Sequence, residues 1–201
     1  MNTPWRQWNT APRFTPLLGA AVGAVGGGVY WLGALIWPTS IAVILSMFAT
    51  ALLCAGGGPG AAAALQGAAS RWLGIVFSVL VKFNALMALS AASLPFPLPA
   101  NLALGVIMIA GYASSRALVV SASKPVSHAD LGIALAIGFT PAALIGLPGL
   151  IGVAAALVAR IVFVTYLRRS GQSVTSAHLD TIQQVTEICF YLGALASWPY
   201  I

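Results

Sequence analysis

Apolar residues run along this chain in seven blocks of 17 to 23 positions, each ended by proline, glycine or a charged residue. They extend over Phe14 to Ile36, Thr39 to Ala55, Trp72 to Ser93, Asn101 to Ala122, Leu131 to Leu147, Gly149 to Leu167, and Ile182 to Trp198. A helix rises 1.5 Å per residue, so about 20 predominantly apolar residues cross the hydrocarbon layer of a bilayer. The blocks predict an all-α, polytopic integral membrane helix bundle of about seven transmembrane helices. The join at Pro148, with Pro141 inside the block before it, is the weakest: it also fits a re-entrant pair or one broken helix.

The polar positions between blocks are unevenly charged. Arg6 and Arg13 precede the first block, Arg71 the third, Lys124 follows the fourth, and Arg168 with Arg169 the sixth. The intervening connections at Trp37-Pro38, Leu94 to Ala100 and Pro148-Gly149 carry no charge. Because cytoplasmic loops collect Lys and Arg, this places the N-terminus in the cytoplasm and the C-terminus outside, as expected of a bacterial inner-membrane protein. The first block is longer than a signal-peptide core and has no obvious A-x-A site after it, so it is read as a retained crossing.

Composition agrees. Of 201 residues, 60% are hydrophobic and 6% charged, and the mean hydropathy is +0.96, against roughly 25% charged residues in soluble domains. Residues 1–201 are expected to form a single transmembrane domain with the lipid bilayer as partner and no separate soluble domain. The net charge of +6 does not indicate nucleic acid, because the cations punctuate apolar runs instead of clustering on one surface. Cys54 and Cys189 lie inside apolar blocks without a CxxC or a histidine cluster, which excludes a disulfide framework or structural zinc as the reading. Gly19, Gly23 and Gly27 share one helix face; small residues at this spacing let helices approach closely in lipid, either within the chain or as a homo-oligomer face. Tryptophans 5, 8, 31, 37, 72 and 198 fall near block ends and read as interfacial anchors.

Four charges fall inside blocks: Lys82, Arg116, Arg160 and Glu187. Each costs about 2.5 to 3.5 kcal/mol on insertion scales and marks a candidate site or an internal pair. Arg116 and Arg160 are near enough to the cytoplasmic ends for their side chains to snorkel. Lys82 lies deeper, and its position calls for an internal partner. Glu187, in the early turns of the last block, is expected to meet Arg116, Arg160 or a bound cation. The glycine-rich CAGGGPG from Cys54 to Gly60 lacks the ending of a phosphate loop and reads as a turn before a short helix, Ala61 to Ala69. His128 and His178 read as solvated surface groups.

Several stretches resemble the cobalamin synthase family, the adenosylcobinamide-GDP ribazoletransferases. They are FTPLLGAAVGAVGGGVYWL in the first block, LGIVFSVLVKFNALMAL in the third, SSRALVVS in the fourth, and TIQQVTEICFYLGALA near the end. The resemblance implies Mg-dependent joining of alpha-ribazole to adenosylcobinamide-GDP with release of GMP, hence a transferase of cobalamin biosynthesis with a corrinoid ligand. It implies substrate-phosphate binding by Lys82 and Arg116 and a polar site supported by Ser115, Gln183, Gln184 and Glu187.

The chain departs from the family where acids are expected. The signature H-x-D-G-L-x-D-x-x-D-G belongs after the second block, where GGGPGAAAALQG stands, and a D-S-R-x-G element survives only as Ser70-Arg71-Trp72-Leu73-Gly74. The family's T-G-D falls on Thr175-Ser176-Ala177. Asp130, Asp180 and Glu187 are the only carboxylate side chains. Magnesium prefers several hard oxygen ligands in octahedral geometry, so no metal site is assigned, with Asp180 and Glu187 as the weak alternative. The expectation is a shortened, cobalamin synthase-like pseudoenzyme with reduced or lost catalysis. Two other readings stay open: a non-catalytic membrane scaffold or binding partner, and a small permease with a polar path through Lys82, Arg116, Arg160 and Glu187.

Overall fold

The computed structural model describes residues 12–55, 69–91, 100–122, 126–171 and 175–198. Among them the chain forms seven α-helices after a short 3-10 turn at Pro12–Phe14. These are α1 (Thr15–Ala34), α2 (Thr39–Ala55), α3 (Ala69–Ser90), α4 (Ala100–Ala122), α5 (His128–Ile145), α6 (Leu147–Arg169) and α7 (Ser176–Ser197). Each predicted block contributes one helix. Four of these helices, α1 taken together with the 3-10 turn before it, contain 18-residue stretches long and apolar enough to cross a membrane: Pro12–Ala34, Leu102–Ala122, His128–Ile145 and Leu147–Arg169. Shorter apolar segments run through α2 and α3, and α7 carries more polar residues than the others. The short helix expected at Ala61 to Ala69 and the prolines of Leu94 to Ala100 lie outside the described residues, apart from the last position of each.

The join at Pro148 resolves into two helices and one tight turn. Gly146 has φ of +84°, a left-handed conformation that glycine adopts without a Cβ clash, and α6 starts immediately after it with Pro148 in its first turn. Pro141 stays inside α5, which runs on to Ile145. At the other end of α6, Thr175 caps α7: its Oγ accepts from His178 N–H, and His178 Nδ1 accepts from Thr175 N–H. His178 is therefore part of a helix cap, where the sequence had suggested only a solvated group.

Helix α4 is the centre of the bundle, packing against α1, α3, α5, α6 and α7. Leu104, Ile107, Met108, Ala113, Ala117 and Leu118 are all buried. The glycine face of α1 lies on it: a Cβ at Gly23 would stand 2.6 Å from Ile109 Cα, and one at Gly27 2.6 Å from Gly105 Cα. That face is occupied within the chain, so a homo-oligomer through Gly19, Gly23 and Gly27 has no free surface there. The outer faces are the reverse of a soluble protein's, with Ile36, Phe48, Phe77, Leu144 and Val162 all exposed. Apolar side chains on the outside are what contact with a lipid bilayer requires.

Candidate functional site

Helices α2, α3, α4 and α7 converge on one buried polar cluster. Lys82 comes from the middle of α3, between a lipid-facing side bearing Phe77 and Leu80 and a buried side bearing Leu86 and Leu89. From there its Nζ reaches Glu187 Oε1 of α7 at 2.7 Å, with the two side chains only 15% and 4% exposed. The same Nζ donates to the Tyr112 hydroxyl of α4 at 2.9 Å. One turn beyond Glu187, the Tyr191 hydroxyl donates to the same carboxylate oxygen at 3.1 Å. The Thr50 hydroxyl of α2 adjoins Tyr112.

Small residues make room for this arrangement. The Tyr191 ring occupies the space over Gly111 of α4, where a Cβ would come within 2.6 Å of its Cε1. Phe190 meets the same ring edge-on, with centroids 5.8 Å apart. A buried ion pair is favourable only when its geometry is good and its remaining hydrogen-bonding capacity is used. Here one amine and one carboxylate are held from three helices, with a phenol on each.

Glu187 thus meets Lys82, where the sequence had suggested Arg116, Arg160 or a cation. The other charges lie apart. Arg160 extends from α6 and its terminal nitrogen donates to the Ser121 carbonyl in the last turn of α4. Arg116, one turn after Tyr112, is half-buried with its Nε out of contact with any partner. Its charge is felt by the Cys54 thiol at the end of α2 and by the Asp180 carboxylate at the start of α7. Asp130 pairs with Arg13 across 3.8 Å, which ties the 3-10 turn to the first turn of α5.

The polar support residues are split. Ser115 is fully buried, but its hydroxyl bonds back to the Tyr112 carbonyl of its own helix at 3.1 Å, so it serves α4 and not the cluster. Gln183 is half-buried and Gln184 exposed, on the two turns of α7 between Asp180 and Glu187. Tyr112, Tyr191 and Thr50 were missed by sequence reasoning because buried aromatic and hydroxyl residues look like packing in an apolar chain. A signal was present: Tyr191 stands four residues after Glu187 and Tyr112 four before Arg116, one helical turn in each case.

An apolar groove of about 400 Å³ between α3 and α7 is lined by Phe77, Leu80, Val81, Ala85, Leu192 and Leu195, with Asn84 as its polar member. The Asn84 amide donates to its own helix at Leu80 O. The groove therefore presents no group able to do chemistry.

The chain is 30% identical to an adenosylcobinamide-GDP ribazoletransferase of Ralstonia nicotianae, in an alignment covering 94% of this chain and 85% of that protein. It belongs to the adenosylcobinamide-GDP ribazoletransferase family. A ribazoletransferase of Shewanella amazonensis is 28% identical, again over 94% of this chain, and one of Leptothrix cholodnii is 49% identical over 51 residues. No family model matches the chain, and no solved structure does. In the Ralstonia alignment, 94% of 201 residues is about 189, so about 39 of the 228 aligned positions have no counterpart in this member of the family.

The magnesium that the family resemblance implies is poorly served by the side chains of this ribazoletransferase-family chain. Among the described residues no three His, Cys, Asp or Glu side chains come together to hold a metal. Asp180 and Glu187 lie seven residues apart on α7, about 10 Å along the axis, and Glu187 is already bound to Lys82 and Tyr191. Asp130 is held by Arg13. All three carboxylate side chains are thus separated, and the donor set does not fit a multi-carboxylate magnesium site.

Proposed function

We propose that this chain is a cobalamin synthase-like membrane protein that keeps the family's helix bundle and a binding cluster for an activated corrinoid, with transfer of the ribazole group reduced or lost. The observation that carries this reading is the Lys82–Glu187 pair. The one acid buried in the bundle neutralises a lysine 2.7 Å away, and a tyrosine hydroxyl takes up the same oxygen.

Phosphoryl chemistry of the kind the family resemblance implies relies on cations that neutralise charge building up on the transferred group. Held by Glu187, Lys82 brings little net positive charge to such a group. The three acids are too scattered to bring a divalent ion in its place. The positions that this chain lacks relative to the Ralstonia protein, and the acid-free sequence between Cys54 and Arg71, support the same reading.

In this proposal Arg116, Gln183 and Gln184 face the ligand, while Lys82, Tyr112, Glu187 and Tyr191 hold the helices around it. The chain forms one domain of seven crossings in a bacterial inner membrane, its N-terminus in the cytoplasm. The pairing of Lys82 with Glu187 removes one ground for the permease reading, an unpaired charge deep in the bundle.

Binding and turnover separate the possibilities. Purified protein in micelles is titrated with adenosylcobinamide-GDP while its unfolding temperature is followed, because a ligand that binds only the folded state stabilises it. A concentration-dependent rise without GMP release on addition of alpha-ribazole and magnesium agrees with the proposal. Release of GMP at the rate of the Ralstonia protein contradicts it.

A further inference from the structure

Lys82 and Asn84 stand two residues apart on α3, about 200° from one another around the helix. Lys82 turns inward to Glu187 and Tyr112, and Asn84 is exposed on the outer side. It lies eight residues after the start of the apolar segment Val76–Ser90 and six before its end, about 12 and 9 Å along the axis. Its surroundings in a bilayer are therefore hydrocarbon.

A carboxamide carries two N–H donors and an oxygen that accepts twice. The Asn84 Nδ2 donates at 2.8 Å to the Leu80 carbonyl one turn back, and among the described residues nothing else bonds to the amide. One N–H and Oδ1 remain. Lipid tails satisfy neither, and a polar group left unpaired away from water is costly. The surface around Asn84 is unmatched as well. Phe77 is 67% and Leu80 53% exposed, and they project beside the open groove of about 400 Å³ that runs between α3 and α7.

These features complement themselves. A spare donor and a spare acceptor on one amide are both satisfied by the same amide turned about a two-fold axis. Projecting side chains and a groove on one surface fit a second copy of that surface in the same way, which is what an isologous interface requires. Ala88, one turn after Asn84, is small and exposed and lets the backbones come close. In lipid, helices associate through such close packing and through interhelical hydrogen bonds, asparagine among the side chains that make them.

We propose that α3 is a homodimer face, on which two copies of this chain meet in the bilayer with their Asn84 carboxamides bonded to each other across a two-fold axis. It is separate from the glycine face of α1, which is consumed inside each copy. Dimerisation through α3 needs the bilayer and neither ligand nor turnover.

Two measurements in phosphatidylcholine vesicles test it. In the first, energy transfer between copies carrying donor or acceptor dyes at the N-terminus is followed as protein is diluted into lipid. The parent is expected to associate, and Asn84→Leu to need about tenfold more protein per lipid for half-association, the scale of interhelical hydrogen bonding in lipid. Asn84→Gln, which keeps the amide, should stay close to the parent.

In the second, Leu80→Cys, Ala88→Cys and, on the lipid-facing side of α6, Val162→Cys are each placed in a Cys54→Ala, Cys189→Ala background and oxidised with copper phenanthroline. A disulfide needs Cβ atoms within about 4 Å, so dimers are expected from at least one of the two α3 positions and not from Val162. This arm keeps Asn84 and decides alone should Asn84→Leu not fold. Monomers at every dilution would mean that lipid or residues 92–99 of the same chain cover the face, and would overturn the proposal. So would association that Asn84→Leu leaves unchanged, or cross-linking no stronger on α3 than at Val162.

Discussion

Lys82 on α3 and Glu187 on α7 form an ion pair of 2.7 Å inside the bundle, shared with the hydroxyls of Tyr112 and Tyr191. Removing one partner leaves an uncompensated buried charge, whereas removing both leaves two neutral side chains of similar volume. Lys82→Met or Glu187→Gln alone should therefore destabilise by about 3 to 5 kcal/mol, and the double variant by much less than their sum. Denaturant titrations of the four proteins in mixed micelles measure this coupling. Additive losses would mean that the two groups do not interact.

A second prediction concerns the approach of α1 to α4. Gly27 faces Gly105 with no room for a Cβ, while Gly28 beside it has nothing within 4 Å. Gly27→Val should lower stability by about 1 to 3 kcal/mol through overpacking. Gly28→Ala should be neutral or slightly stabilising, because alanine favours the helix. The same unfolding titrations compare them. Equal effects would contradict the close contact.

Asp180 predicts a pH effect of definite sign. Neighbouring protein desolvates its carboxyl and raises its pKa above the usual carboxylate range, with the Arg116 charge pulling partly the other way. A group whose pKa is raised by folding favours the folded state while it is protonated, and that contribution is lost as pH rises through the folded value. Asp180→Asn should therefore be more stable than the parent at neutral pH, with the difference shrinking on acidification. The residue is open to solvent, which moderates the size of the effect. Thermal midpoints of both proteins from pH 4 to 8 decide it, and a variant that gains relative stability only in acid would contradict the assignment.

Much of the bundle could be read from the chain, because apolar length and proline punctuation act locally. The block Phe14 to Ile36 became α1 within two residues at either end, and Thr39 to Ala55 became α2. The Pro148 join was not legible, since a proline at a helix start and a proline breaking a helix look alike until Gly146 shows its φ of +84°. The cluster was half legible. Lys82 and Glu187 stand out as charges in apolar surroundings, but their pairing is set by how α3 and α7 pack around α4, and no local pattern records that. Tyr112 and Tyr191 became visible only once the pair they serve was located.

GMP release in proteoliposomes decides whether this family member, proposed to bind its ligand, transfers the ribazole group slowly or not at all. This chain and the Ralstonia nicotianae protein would be compared at equal folded concentration, with adenosylcobinamide-GDP, alpha-ribazole and magnesium. A rate at least about 100-fold below the relative's is expected, the scale of losing one preorganised electrostatic contact. Equal rates would contradict it.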